Sequence, residues 1–334
     1  MIEDHAAAAM LLEAAAVAAA IGTPAIALRN ITTKLVAQWV ILFGSVDAAP
    51  DAGKLAGLMS WLRTALSRIE IKPGAAIREH GRAARVLGQR QARQEMGRPA
   101  PHQRVVQLDE DTERAADEAD EATADRLAAA VRLLPKHAGE VEQREDFAPA
   151  LGAAQSAVTR AQTGVMWAVH HELNAGIADE IADAGGEQLW VPERDACAHC
   201  LAYAGELAEP GRSFELGLTF GDKPLQPWPD ATFLGGPPLH PWCRCRLFPW
   251  MGSDGVDGLR ELPEVLRHEA KRSVLKGWAL PSESAAVRAR AADKLLAQGA
   301  GLPRSVEQEA RRKLRAGRFT TGPVPDGTAT EEQR

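Results

Sequence analysis

The chain has 334 residues, 45% of them hydrophobic and 25% charged, which leaves room for a buried core and excludes an intrinsically disordered chain. Its formal net charge of −6 is too small to define a class of partner, and it conceals blocks of opposite sign. The four cysteines all fall between 197 and 245, the clustering of a local metal site and not of staples scattered through a secreted domain, so a reducing compartment is expected.

Heavy use of alanine and arginine predicts a mostly α protein, to which a Cys/His cluster and a proline-rich stretch further along the chain add a small α+β metal-stapled module. Residues 1–21 are apolar through alanine, but Glu3, Asp4 and Glu13 and the lack of a basic leading segment argue against a secretory signal. The apolar stretch 35–43 is too short to cross a bilayer, for which about 20 residues are needed, so a soluble chain with no membrane contact is expected. Between 6 and 66 the three- and four-residue spacing of apolar side chains predicts two or three packed helices, interrupted at Thr23-Pro24.

Residues 72–104 form a basic helical segment that closes at Gly97 and Pro99, completing an N-terminal helical region over 1–104. The sign then reverses. From Asp109 to Asp125 acids alternate with alanine, and 105–150 is read as an acidic linker or exposed helix, with a site for a basic partner as the minority reading. Residues 150–182 predict a long amphipathic helix or a broken pair, and the doublet Gly185-Gly186 should end it.

Nine prolines between 192 and 249 forbid a long helix there and leave short strands and loops. Helices resume over 256–319, a basic region broken at Pro281 and Pro303, and 320–334 is expected to be a disordered tail.

The chemistry concentrates in the central module, 151–255. Cys197 and Cys200 form a C-x-x-C knuckle that turns two thiolates toward one ion, and His240 with Cys243 has the spacing of a second knuckle. Three thiolates and an imidazole suit structural zinc. Cys245 makes a fifth donor. In an extended chain Cys243 and Cys245 share a face and His240 does not, so only a turn brings all three to one ion, and either His240 or Cys245 is a spectator. His199, between the knuckle cysteines, is read as facing away. Two disulfides are the alternative to metal, with free thiols a third reading.

Asp195, Cys197, Cys200, Gly205, His240, Pro241, Cys243, Arg244 and Cys245 carry a resemblance. The segment resembles the phage Mu F-like head morphogenesis domain, in which an aspartate precedes a C-x-x-C knuckle, a glycine follows five residues later, and an H-P-x-C-R-C element ends the motif. The likeness covers about residues 151–250, including a leading helix over 156–176 with Arg160 and Asn174. Trp242 departs from the family pattern, where asparagine is usual. The resemblance implies a minor capsid protein in the virion, associated with portal and capsid proteins and needed for head assembly or DNA packaging. The basic segments 72–104 and 258–318 are compatible with non-specific DNA contact, although such charge is commonly a solvated helix face.

No enzymatic site is expected. His170-His171-Glu172 lacks the second histidine of H-E-x-x-H, and neither a G-x-S-x-G elbow nor a phosphate-binding glycine loop is found. Two other readings are kept: a thiol-redox pair at Cys197 and Cys200, and a zinc-ribbon nucleic-acid binder. Glu193, Arg194, Asp195, Arg244 and Arg246 mix both signs around the cysteines and so disfavour the second.

Overall fold

The computed structural model describes residues 2–99, 106–209, 211–215, 217–220, 235–240, 242–252, 260–280 and 283–325. Residues 221–234 of the proline-rich stretch, Pro241, Pro281 and the tail beyond 325 lie outside them. The described chain is mostly helical, with one small antiparallel sheet. It divides into two compact units, Met1–Ala84 with Gln107–Val169, and Arg85–Val106 with His170–Arg334. Two of the boundaries, after 84 and after 169, fall inside helices, and the third, after 106, falls in the loop close to the composition change near 104.

In the first unit, α1 (Ile2–Phe43) runs through Pro24 without a break, contrary to the expected interruption. A proline inside a helix forfeits one backbone bond and costs about 3 kcal/mol. Burial on both sides offsets this, with Ala16, Ala20 and Ile21 before it and Leu28, Ile31, Leu35 and Trp39 after it. Trp39 packs edge-on against Phe43 and Phe147, with ring centroids 4.8 and 6.4 Å away. Unbroken, the helix is long and apolar enough to cross a membrane over Asp4–Phe43, with a mean hydropathy of 1.8 in its most apolar window. That length corrects the reading of 35–43 as an isolated short stretch.

α2 (Ala52–Ser67) begins at Asp51, whose carboxylate accepts the amides of Gly53 and Lys54. The acidic run forms α4 (Glu110–Arg132), the helical one of the two readings of that segment. Its first turn carries Glu110, Asp111 and Glu113, where the helix dipole favours negative charge. Its inner face is Thr112, Ala116, Ala119, Thr123 and Ala130. Arg78 on α3 (Pro73–Glu95) reaches across to Glu113 at 2.7 Å and Asp117 at 2.5 Å.

In the second unit, α3 and α5 (Ala148–Ala184) meet backbone to backbone. A Cβ on Gly88 would lie 2.0 Å from the Leu173 carbonyl oxygen, and one on Gly176 would lie 2.2 Å from that of Arg85. Only glycine fits at either place. α5 is one continuous helix of 37 residues, not a broken pair. It ends as the sequence predicts: Gly185 adopts φ +69°, its amide bonds to the Ala182 carbonyl, and the Gly186 amide reaches back to Ile181.

The sheet follows at once, in the order β2-β1-β3, with β1 (Glu187–Val191) central between β2 (Leu207–Ala208) and β3 (Arg246–Trp250). Register pairs Leu189 with Phe248 and Trp190 with Leu247. The buried Trp190 ring lies 4.8 Å from Tyr203 and 5.2 Å from Phe214. A four-residue helical turn, α6 (Ala198–Leu201), is set between β1 and β2.

Three helices complete the unit: α7 (Leu262–Lys276), α8 (Ala285–Gln298) and α9 (Arg304–Arg315). Of the segment expected to be a disordered tail, residues 320–325 are described, and Gly322 pairs there with Gly277 and Ala279 through two backbone hydrogen bonds. Gly277 and Trp278 close α7, so this strand-like pairing ties the end of the described chain to that closure.

Candidate metal centre

The first knuckle hangs from the end of β1. Cys197 caps α6, where its sulfur accepts the Cys200 amide and its carbonyl accepts that of Leu201. This places both thiols on one side of the turn. The second knuckle leads into β3, and there the His240 carbonyl accepts the Cys243 amide at 2.9 Å. That turn is what the spacing demanded if His240 and Cys243 were to face the same point.

The five sequence-derived donors come together, but as two overlapping triads. Cys197, Cys200 and His240 form one; Cys200, Cys243 and Cys245 form the other; in each, all ligand atoms lie within 4.8 Å of one another. The His240 Nε2 is 3.2 Å from the Cys197 sulfur and 3.3 Å from that of Cys200, which is 3.5 Å from the Cys243 sulfur. A tetrahedral zinc with ordinary bond lengths has edges of about 3.8 Å between sulfurs and about 3.6 Å between sulfur and nitrogen. The observed separations match this scale. A disulfide needs about 2.05 Å, and all four cysteines are free.

A cavity of about 10 Å³, room for one water-sized occupant, is walled by Cys197, Cys200, His240 and Cys243, with Glu193, Trp242 and Leu280 beside them. Cys245 does not line it. Within each triad the spacing is compatible with one ion, and Cys197, Cys200, His240 and Cys243, which wall the cavity, are the residues that would hold it.

Protonation in the cluster alternates. Hydrogen bonds from Cys200, then His199 and His240, hold the Cys197 thiol well below its ordinary value despite burial. Cys243 is likewise pushed well down: burial opposes its ionisation, but hydrogen bonds from Cys200 and Cys245 and the His240 charge prevail. Cys200 is driven well up by its bonds to Cys197 and Cys243, and Cys245 by burial and the Cys243 charge. Burial works against a charged His240, yet its bond to Cys197 raises it. Filling the cluster with an ion would require each ligating thiol to give up its proton.

His199 does not simply face away: its side chain hydrogen bonds to Cys197, although it belongs to neither triad. Glu172, from the rejected zincin-like triplet, is buried in an ion pair with Arg85 at 3.0 Å.

No family model, curated protein or solved structure matches the chain. Arg244 bridges the two knuckles through the Asp195 carboxylate, with contacts of 3.2 and 3.3 Å. Asn174, buried on α5, donates to the Cys245 carbonyl at 3.2 Å and accepts the Leu247 amide at 2.7 Å, fixing the chain where it enters β3. Gly205 takes φ +75° and lies so close to Pro263 that a Cβ would be 2.1 Å from its carbonyl oxygen.

The C-terminal helices grip the first knuckle from 194 to 198. Ser273 donates to the Arg194 carbonyl, the Leu280 amide to that of Asp195, and Arg288 to that of Ala196 at 2.6 Å. Glu283 accepts the Ala198 amide at 2.8 Å and holds Arg288 at 2.7 Å. Ser273, Glu283 and Arg288 were not singled out by sequence reasoning. They stand outside the motif, and Arg288 lies in a basic stretch that resembles a solvated face.

Proposed function

We propose that the chain is a minor capsid protein of a tailed phage, of the Mu F-like head morphogenesis type, in which a structural zinc ion staples a proline-rich segment into a rigid docking piece. The observation that carries this reading is the placing of Cys197, Cys200, His240 and Cys243 around one ion-sized cavity. Together with Asp195, Gly205 and the H-P-x-C-R-C ending, these are the residues that resemble the family. Thiolates with one imidazole favour zinc, which is redox-silent and closes four-coordinate structural sites. On this reading the role is structural and not catalytic, and the place of action is the virion. The partners are portal and capsid proteins, with non-specific contact to DNA phosphates through basic side chains.

Elemental analysis of the purified full chain is expected to find about one zinc per chain, and Cys197→Ser or Cys243→Ser to release it. A chain that takes up no zinc when reduced overturns the centre. Fractionated heads and procapsids of the phage that encodes the chain are expected to contain it in few copies with the portal; absence from both overturns the assembly role.

A further inference from the structure

Five donors gather as two triads that share Cys200, whereas a tetrahedral ion needs four, and the surplus has a definite place. Buried cysteines commonly pack as small hydrophobic side chains. Cys245 is 1% exposed, but its sulfur lies within 4.8 Å of those of Cys200 and Cys243, so it is aimed at the donor cluster. Its backbone is fixed independently of any ion, through the Asn174 bond to its carbonyl at the entrance to β3. His240 is placed differently: it is partly exposed, sits on the turn that precedes Cys243, and touches the cluster through Cys197 and Cys200. Cys200 belongs to both triads.

We propose that Cys245 is a reserve ligand, so that the chain holds one zinc either through Cys197, Cys200, Cys243 and His240 or through the four cysteines. The inference rests on the zinc reading above and specifies how its site is built. Exchange between the two sets balances without an outside reactant. In that exchange the Cys245 sulfur would replace the His240 nitrogen as ligand, and the Cys245 thiol proton would pass to the freed imidazole. The charge of the whole cluster is unchanged. Three thiolates remain common to both sets, and because Cys197 and Cys245 lie in different triads the change asks for motion at His240, Cys245 and the first knuckle.

The test uses the full chain in four forms: unaltered, His240→Ala, Cys245→Ser and the double variant, each loaded with zinc or with cobalt(II) as a spectroscopic stand-in. His240→Ala is expected to keep about one ion, with thiolate-to-cobalt charge-transfer intensity raised by about a third as three thiolates become four. Cys245→Ser is expected to keep the ion with an unaltered spectrum, and the double variant to lose at least tenfold in affinity relative to either single change. Cys245→Ala serves beside Cys245→Ser, because it avoids burying a hydroxyl; the same pattern is expected with either. The inference is overturned if His240→Ala loses the ion as fully as the double variant, or if the double variant binds as well as His240→Ala. Failure of the unaltered chain to bind zinc overturns the underlying reading instead, and the two failures are thereby separate.

Discussion

Arg288 has no solvent exposure, yet it belongs to a stretch whose composition reads as surface charge. Its guanidinium is held between the Glu283 carboxylate and the Ala196 carbonyl, next to the first knuckle. Breaking a buried ion pair by removing one partner costs about 3–5 kcal/mol, because the other charge is left uncompensated. Arg288→Met is therefore expected to lower stability by that order in chemical denaturation and to weaken zinc retention against a chelator. Glu283 is raised above the ordinary carboxyl value by burial, with Arg288 pulling the other way, so loss of Arg288 favours its protonated form. The five donors were legible in the sequence because ligand chemistry requires particular residue types at short spacings. Glu283 and Arg288 were not, because nothing in their own neighbourhood distinguishes a buried arginine from a solvated one.

Among the elements, helix ends were the most legible. Gly185-Gly186 stops α5 where the doublet stands, since only glycine accepts the left-handed turn cheaply. Pro24 misled for a converse reason. Local preference forbids it inside a helix, but the apolar side chains buried on either side of it in α1 outweigh one lost hydrogen bond. The pairing of α7 with α9 was equally hidden. Lys276 on α7 bonds Glu309 on α9 at 3.0 Å, and Lys313 adds a second contact at 2.7 Å.

These two lysines lower the Glu309 carboxyl from 4.5 to about 2. A depressed folded-state value contributes stability that is present above 4.5 and is lost as pH falls from there through about 2. The group is largely solvated, so screening limits its contribution to about 1 kcal/mol or less. Amide exchange in α9 is expected to quicken across that pH window, and Glu309→Gln to flatten the change. An unaltered acid response in the variant counts against this contact.

At the scale of the molecule, part of the charge of the basic segment 72–104 is paired within the chain. Arg78 and Arg82 of the basic segment turn to Glu113 in the acidic one, Arg85 to Glu172 and Asp179, and Arg93 to Glu180. A single sequence shows that blocks of opposite charge exist but not that they face each other. The second unit is organised around the knuckles: β1 leads into one, β3 leaves the other, and residues from α5, α7 and the start of α8 bond to the chain beside them. Chelation is expected to raise amide exchange together in β1, β3, α7 and α8, while the α2 and α4 cores of the first unit keep their protection. Uniform loss of protection in both units contradicts an ion that organises the second alone.

The bond from the Ala198 amide to Glu283 spans 85 residues. A ribosome adding roughly 5–20 residues per second supplies that carboxylate about 4–17 s after the amide it caps. The nascent chain thus presents all five sulfur and nitrogen donors before the clamp behind them has been synthesised. Ion capture can begin during translation, whereas the grip that secures the ion belongs to the period after Arg288 has emerged.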